Sequence, residues 1–250
     1  CKQQKISLPP MNSHHERAST RVARNIVKDI EERQLPAGTK LDSEHVMIEK
    51  QGASRATVRE ALRFLELQGA LKMKAGPGGG PVVNIPGVDH LAGALSLQLQ
   101  FANATFSAVL EARRSIYPIL VAEAAENATT DEICALKASL QRLYEATEDS
   151  DAAAREARNF YELVAVASKN LVLGFLVNAL HHLSENSGID YDMQHRQASA
   201  RQTDRILQAI EQRDAEKAHA LSEKMHAAAW RYWEKNAPEL LNAPVSWITR

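Results

Sequence analysis

Residues 54–68 constrain the fold most, because they carry two helical patterns at once. The apolar residues recur at the spacing of one buried helix face: Val58, Ala61, Leu62 and Leu65. The arginines recur every fourth residue on another face: Arg55, Arg59 and Arg63. No acidic residue lies between the arginines on that face, so they cannot neutralise one another and require anions from elsewhere. Ser54 is a good N-cap, and the helix that begins there offers its positive end to anions as well.

Two further helices and a hairpin are predicted around this helix. Apolar residues at helical spacing within residues 22–35 predict the first helix. The predicted breaks that bound the first and second helices are Pro36-Ala37-Gly38, Asp42-Ser43-Glu44 and Gly52. Residues 70–74 alternate like a strand, with Lys72 and Lys74 on one side, and residues 75–85 read as a glycine-rich turn and a return strand. The sequence thus predicts three helices followed by a basic β-hairpin.

Charge is divided unevenly along the chain. Residues 1–85 hold 14 Lys and Arg against 9 Asp and Glu, whereas the remaining residues hold 16 against 22. A basic first part on an acidic body is typical of a protein that binds DNA through one domain. Cys1 and Cys134 are too few for a disulfide framework, and no run approaches the roughly 20 apolar residues of a membrane helix. We therefore expect a cytoplasmic protein with no membrane partner.

The first domain resembles the winged helix-turn-helix of the GntR family of bacterial regulators. The resemblance covers about residues 19–85 and is carried by LDSEH from Leu41, SRATVREAL from Ser54 and LELQG from Leu65. It implies that this domain reads double-stranded operator DNA, with Arg55, Thr57 and Arg59 on bases and phosphates and Gly76 near the tip of a wing in the minor groove. His45 stands where the family usually has arginine. With the arginine face and the basic hairpin added, the predicted DNA-binding residues are His45, Ser54, Arg55, Thr57, Arg59, Arg63, Lys74 and Gly76.

The sequence allows two other interpretations of these residues. Arg59 could form a surface ion pair with Glu60 or Glu66 on its own helix. The glycine run at residues 76–80 could hold a nucleotide phosphate, but it lacks the Gly-Lys-Ser/Thr ending of a P-loop.

The second domain is predicted to be helical throughout and to span residues 90–236. We expect a flexible arm at 1–18, a linker at 86–89 and a tail at 237–250, with the tail either packed on its own domain or crossing to a partner subunit. The predicted helices cover about 90–101, 105–127, 130–147, 153–168, 171–186, 197–212 and 214–235, with a capping box at Thr129 to Glu132. Seven helices in about 150 residues imply an antiparallel bundle. The predicted fold class is mostly α, with a winged helix-turn-helix before this bundle.

This bundle resembles the FCD effector domain of the FadR subgroup of the GntR family. The resemblance is carried by EARR from Glu111, by FY at Phe160 and SKN at Ser168, and by ILQAI and DAEKA near the end. Many FCD domains bind a divalent metal through one Asp and three His. The corresponding positions here are Ala157, Tyr161, Thr203 and Met225. These side chains are poor metal ligands, so we expect no metal and no other cofactor.

The histidines are not expected to replace the missing ligands. Asp204 and His226 lie one residue from two of those positions, and a rotation of about 100° should point them away from the pocket. The other histidines of the bundle show no metal-like pairing and are expected on exposed helix faces: His181, His182, His195 and His219.

Arg113 is the predicted anchor of an effector. It lies on the apolar side of its helix, and a buried arginine requires a compensating anion. That anion is either an Asp or Glu of another helix, or a carboxylate or phosphate of a bound effector. Tyr117, Tyr161 and Thr203 would add hydroxyls and Met225 a deformable apolar wall, so this composition favours a small organic anion with an apolar part.

The sequence predicts a regulator rather than an enzyme. No Ser-His-Asp set, cysteine nucleophile in a catalytic context or metal constellation is apparent. Helix-turn-helix proteins commonly read palindromes as two-fold dimers, so we expect a homodimer that represses transcription until its effector binds, although activation also occurs in the subgroup. The alternative is a DNA-binding protein of the same fold whose pocket is vestigial and takes no effector.

Overall fold

The apolar faces of three helices build the first of two units in the computed structural model, which describes residues 17–76, 78–185 and 191–248. This unit is Cys1–Gly87 and the second is Val88–Arg250. Its helices are α1 (Ala18–Glu32), α2 (Glu44–Gln51) and α3 (Arg55–Leu67). Residues 1–16 of the predicted arm lie outside the described residues. The three predicted helices are confirmed.

Local caps explain where α2 and α3 begin and end. The Ser43 hydroxyl accepts a hydrogen bond from the Val46 amide, and the Ser54 hydroxyl accepts one from the Thr57 amide. Gly52 ends α2 with a φ of +58°, a left-handed conformation that glycine adopts without steric cost. The residues between the two helices therefore form the tight turn of a helix-turn-helix.

The hairpin closes the core of this unit. Strands β1 (Leu71–Lys74) and β2 (Gly80–Val83) pair antiparallel, with Leu71 opposite Val83 and Lys74 opposite Gly80. Leu71 and Val83 are buried against the three helices, whereas Lys72 and Lys74 are exposed. The predicted basic hairpin is confirmed.

The secondary-structure elements of the second unit are all helices among its described residues, as predicted. Its helices are α4 (Val88–Phe101), α5 (Phe106–Asn127), α6 (Thr130–Glu145), α7 (Ser150–Ser168), α8 (Leu171–Glu185), α9 (Met193–Glu211), α10 (Ala215–Asn236) and α11 (Pro238–Leu241). The capping box that begins α6 is formed by Thr129 and Glu132, as predicted. No helix in the described ranges combines the length and apolar character needed to span a membrane.

Helix α5 forms the centre of this unit. Tyr117, Leu120, Val121 and Ala124 are fully buried on it, and α7, α8, α9 and α10 pack around it. The C-terminal residues, which the sequence left unplaced, return to their own unit, because the Val245 amide donates to the Ala104 carbonyl at 2.9 Å. This ring of helices around α5 leaves space for a cavity beside it.

Candidate functional site

The arginine face of α3 is open to solvent in the first unit. Arg55, Arg59 and Arg63 are all exposed, and neither Arg55 nor Arg63 forms an ion pair with any described residue. Ser54 and Thr57 lie at the start of the same helix, with their hydroxyl oxygens 2.8 Å apart. The helix thus presents free guanidinium groups together with its N-terminal amides, an arrangement that attracts phosphates.

Arg59 is held by a residue that the sequence did not indicate. Its Nε donates to Oε2 of Glu44 at 2.9 Å, which joins α3 to α2. The expected alternatives, Glu60 and Glu66, are not its partners, and Glu66 instead accepts a 3.3 Å hydrogen bond from the Met73 amide. A partner 15 positions away depends on how two helices pack, so helix spacing alone could not reveal it.

His45 lies on α2 and its side chain is 82% exposed, with Nε2 3.4 Å from Oε1 of Glu49. Both side chains lie in solvent, so this contact holds the ring weakly. His45 is therefore available for contacts at the predicted DNA surface.

The tip of the hairpin has a backbone that only glycine permits. Gly76 has a φ of +94°, and Lys74 beside it is exposed. At Gly79 a Cβ atom would lie 2.2 Å from the Lys74 carbonyl oxygen. The Nζ of Lys40 donates to the Gly78 carbonyl at 2.6 Å, so a lysine that sequence reasoning missed holds the wing to the body of the unit.

A cavity of about 230 Å³ lies in the second unit. Its polar lining includes two arginines and three histidines: Arg113, Arg196, His181, His195 and His226. Its walls include aromatic and apolar side chains: Leu143, Ala153, Ala157, Tyr161, Tyr191, Met225 and Trp233. No carboxylate is present among the described residues that line it. The cavity is therefore positively charged and largely apolar.

Arg113 contributes an unsatisfied donor to this cavity. Its Nε is buried and has no hydrogen-bond partner among the described residues, and its guanidinium carbon lies 5.6 Å from the centroid of the Tyr117 ring. Within the described part of the chain no Asp or Glu forms an ion pair with it. The sequence left two possible sources for the anion that Arg113 requires. The first source, an Asp or Glu of another helix, is not found among the described residues.

Arg196 is anchored differently, by backbone carbonyls. Its Nε donates to the Thr147 carbonyl at 2.8 Å, and its terminal nitrogens donate to the carbonyls of Tyr191 and Glu148. Sequence reasoning missed this residue, because Thr147 and Glu148 lie far from it along the chain.

Two of the five predicted effector contacts do not line the cavity. Tyr117 is fully buried, and its hydroxyl lies 2.8 Å from Nδ1 of His181. Thr203 is buried and its hydroxyl donates to the Ser199 carbonyl at 3.0 Å, a bond that helical threonines commonly form. The structure therefore does not bring these two hydroxyls to the cavity, and each of them has an internal partner.

Tyr161 and Met225 do line the cavity, as expected. The Tyr161 hydroxyl donates to the Met225 sulfur at 3.4 Å. Burial, which outweighs the opposing effect of Arg113, raises the pKa of Tyr161 above its ordinary value. The phenol therefore stays neutral and acts as a hydrogen-bonding wall.

The histidines correct the sequence analysis most. His226 was expected to point away from the pocket, and His181 and His195 were expected on exposed faces, yet all three line the cavity. The cavity borders a broad arc of α10, so Met225 and His226 both reach it although they differ by about 100° around the helix. His219, in contrast, is 41% exposed and pairs with Glu223, as an exposed histidine should.

Burial keeps His226 and His181 neutral. Desolvation, assisted by Arg113, lowers the pKa of His226 to about 4. Desolvation and the charge of Arg113 also lower the pKa of His181 well below its ordinary value. The Nδ1 of His226 lies 2.9 Å from the Ser222 carbonyl, so Nδ1 carries the proton and Nε2 remains an acceptor. Arg113 is the source of positive charge among these three groups.

Both units match the models of known protein families. Residues 18–79 match the model of the bacterial regulatory proteins of the gntR family, and residues 108–228 match the FCD domain. The chain is 31% identical over 176 residues to the fatty acid metabolism regulator protein of Pasteurella multocida, covering 66% of this chain and 68% of that protein.

The chain belongs to the GntR family. It is a DNA-binding transcription regulator with a C-terminal FCD domain, as in the FadR subgroup, and the family comprises regulators rather than enzymes. An uncharacterised helix-turn-helix-type transcriptional regulator of Bacillus subtilis is 28% identical over 79% of this chain and 82% of its own length. A GntR structure from Streptococcus agalactiae shares the fold, with a TM-score of 0.68 at 21% identity over 86% of this chain and 99% of that one.

This GntR chain does not provide the metal ligands expected of its FCD domain. At the four ligand positions Ala157 has no donor, the Tyr161 hydroxyl is bonded to the Met225 sulfur, and Thr203 is bonded to a carbonyl. Across the described ranges no group of three His, Cys, Asp or Glu side chains is arranged so that it could hold a metal ion. A divalent cation would also lie close to the positive charge of Arg113, which no described carboxylate pairs, so the residues present do not fit a metal.

Proposed function

We propose that this GntR regulator binds DNA as a homodimer and that a small organic anion, held by Arg113, controls that binding. The proposal is carried by the buried Nε of Arg113, which has no hydrogen-bond partner in the part of the chain that the structure describes and lies in a cavity whose described lining contains no carboxylate. A buried charge without an anion is costly, so a carboxylate or phosphate bound beside Arg113 removes that penalty.

The cavity also limits the kind of anion. Its volume of about 230 Å³ lies below the range typical of drug-sized ligands, which favours a small metabolite. Met225, Trp233 and the alanines supply an apolar wall for a hydrocarbon part. The Pasteurella relative is named for fatty acid metabolism, and a fatty acid combines these two chemical features.

The proposed control acts through the dimer. Two recognition helices on one palindrome bind more tightly than either alone, because the second contact is intramolecular. An effector changes operator affinity only if it binds the DNA-competent and DNA-incompetent arrangements with different affinity. We propose repression that the anion relieves, in the cytoplasm where the operator lies.

Thermal unfolding with a ligand panel tests the pocket. The panel contains short-chain monocarboxylates, dicarboxylates and acyl phosphates, each carboxylate paired with its uncharged amide. A true effector at 100 times its Kd stabilises the folded state by about 2.7 kcal/mol, so its acid should raise Tm while its amide should not. The same acid should then change the affinity for a duplex selected from a random library.

The matched variants are Arg113→Gln and Arg114→Gln. Arg114 is the neighbouring exposed arginine, which lies over Trp230, so it controls for general loss of charge. Arg113→Gln should abolish the shift and Arg114→Gln should keep it. If no acid in the panel raises Tm, or if Arg113→Gln responds like the wild type, the alternative of the same fold with a vestigial pocket is favoured.

A further inference from the structure

Helix α8 carries a contiguous apolar surface that no described residue covers. Its exposed side chains are all hydrophobic, with exposed fractions of 71% for Leu171, 68% for Val172, 63% for Phe175 and 37% for Leu176. Val172, Phe175 and Leu176 follow Leu171 by one, four and five positions, so the four side chains lie on one side of the helix. We call these four residues the α8 face.

The opposite side of α8 is apolar too. Val177, Ala179, Leu180 and Leu183 are buried within the unit. Helices that are hydrophobic on all sides are usually buried on all sides, and single exposed leucines are ordinary whereas contiguous groups of them mark interfaces. The α8 face therefore has the character of a surface that is covered in the assembled protein.

Charge is nearly absent from α8 and from α4. Within α8 the single charged residue is Glu185 at its end, and within α4, which packs against α8, it is Asp89, although the chain as a whole is 24% charged. Depletion of charge is the compositional mark of an interface core.

We propose that the α8 face is covered by the α8 face of a second copy of this chain. In a two-fold dimer each patch meets its own copy, so a patch bearing charges of one sign would repel itself whereas a neutral apolar patch is self-complementary. This inference rests on the homodimer in the proposed function and names its surface.

The position of α4 links this surface to DNA reading. Helix α4 begins at Val88, directly after the first unit ends at Gly87, and it packs against α8. Pairing through α8 therefore holds the two α4 helices in place. Because each DNA-binding unit is tethered to the start of an α4 helix, the two tether points are held as well. The spacing of half-sites on DNA then depends on this pairing.

Sedimentation velocity over a range of protein concentrations, without DNA or effector, tests the proposal. The wild type should have twice the chain mass of 27.6 kDa. Leu171→Glu and Phe175→Glu should each weaken dimerisation at least about 100-fold, because a carboxylate would be buried without a partner. Both substitutions lie in solvent in the separate chain, so circular dichroism and Tm should show folded monomers.

Leu67→Glu is the matched control. Leu67 is 67% exposed, close to the value for Leu171, but lies on α3 in the other unit, so this variant should remain dimeric. Dimers of unchanged strength in both α8 variants would overturn the α8 face as the interface while leaving the homodimer intact. A wild type that stays monomeric at all concentrations would overturn the homodimer itself, and neither outcome depends on Arg113 or its ligand.

Discussion

The Nε of Arg59 donates a 2.9 Å hydrogen bond to Oε2 of Glu44, so the middle arginine of the α3 face is tied to α2. The side chains are 60% and 30% exposed. Ion pairs this open to solvent contribute no more than about 1 kcal/mol. A DNA phosphate or a guanine edge can therefore replace Glu44 at small cost, and until then the pair holds the guanidinium in place.

Replacing Arg59 should weaken DNA binding without unfolding the protein. Arg59→Ala eliminates a base or phosphate contact, which should weaken binding to a selected duplex about 10- to 100-fold and lower the salt dependence of that binding. Fluorescence anisotropy at several salt concentrations measures both. Arg142→Ala is the control, because the Nε of Arg142 forms an equivalent 3.0 Å hydrogen bond to Glu156 in the other unit. This variant should bind DNA as the wild type does. Unchanged affinity of Arg59→Ala would contradict the assignment of α3 as the reading helix.

The wing should tolerate no side chain at Gly79. A Cβ there would lie 2.2 Å from one backbone oxygen and 2.9 Å from another, whereas at Gly78 it would meet nothing within 4 Å. Gly79→Ala should therefore rearrange the turn and weaken duplex binding more than Gly78→Ala, which bears only the cost, about 1 to 2 kcal/mol, of a left-handed alanine. The two variants are compared in the same anisotropy assay. Equal losses would mean that the turn relaxes freely.

Acid should destabilise the helical unit through His226. The unfolded chain binds a proton near the ordinary pKa of about 6.5, but the folded chain binds it only near pH 4, so the unfolded state holds more protons between these values. The free energy of unfolding should fall as pH decreases from 6.5 to 4, with about 3 kcal/mol from this histidine. Urea denaturation of the wild type and of His226→Gln measures the difference. His219→Gln, at an exposed site, should keep the wild-type pH dependence, and an unchanged slope in His226→Gln would contradict a buried neutral ring.

Divalent metal should not stabilise the FCD domain. After dialysis against a chelator, Zn²⁺ or Ni²⁺ should leave Tm unchanged, because Ala157, Thr203 and the bonded pair of Tyr161 and Met225 offer no ligand set. Isothermal titration gives the direct measurement. Tight binding of one ion per chain would show that the histidines of the cavity form a site by rearrangement.

The first unit was largely predictable from the sequence because its determinants are local. Ser54 caps α3, Gly52 ends α2, and the alternating pattern of residues 70–74 gives the strand. The pairing of Arg59 with Glu44 was not predictable, since it joins two helices through packing rather than spacing.

The cavity of the second unit was predictable only in part. Arg113, Tyr161 and Met225 could be placed there from helix patterns and the family resemblance, and all three line it. Tyr117 was misplaced because its hydroxyl is taken by His181, a partner 64 residues away. Helix periodicity gives the side of a helix on which a residue lies, but not the width of a cavity beside it, so His226 was assigned to the wrong environment.

The row of arginines on α3, which most constrains the fold, is determined by the sequence alone. Spacing along one helix sets which residues share a face, and that face has the same arginines in any packing. Only the tertiary structure decided which charges find partners. Arg59 has Glu44, whereas Arg113 has no carboxylate among the described residues, because helix packing determines which distant groups come within hydrogen-bond reach. The same packing left the apolar face of α8 open for a second chain to cover, as we propose.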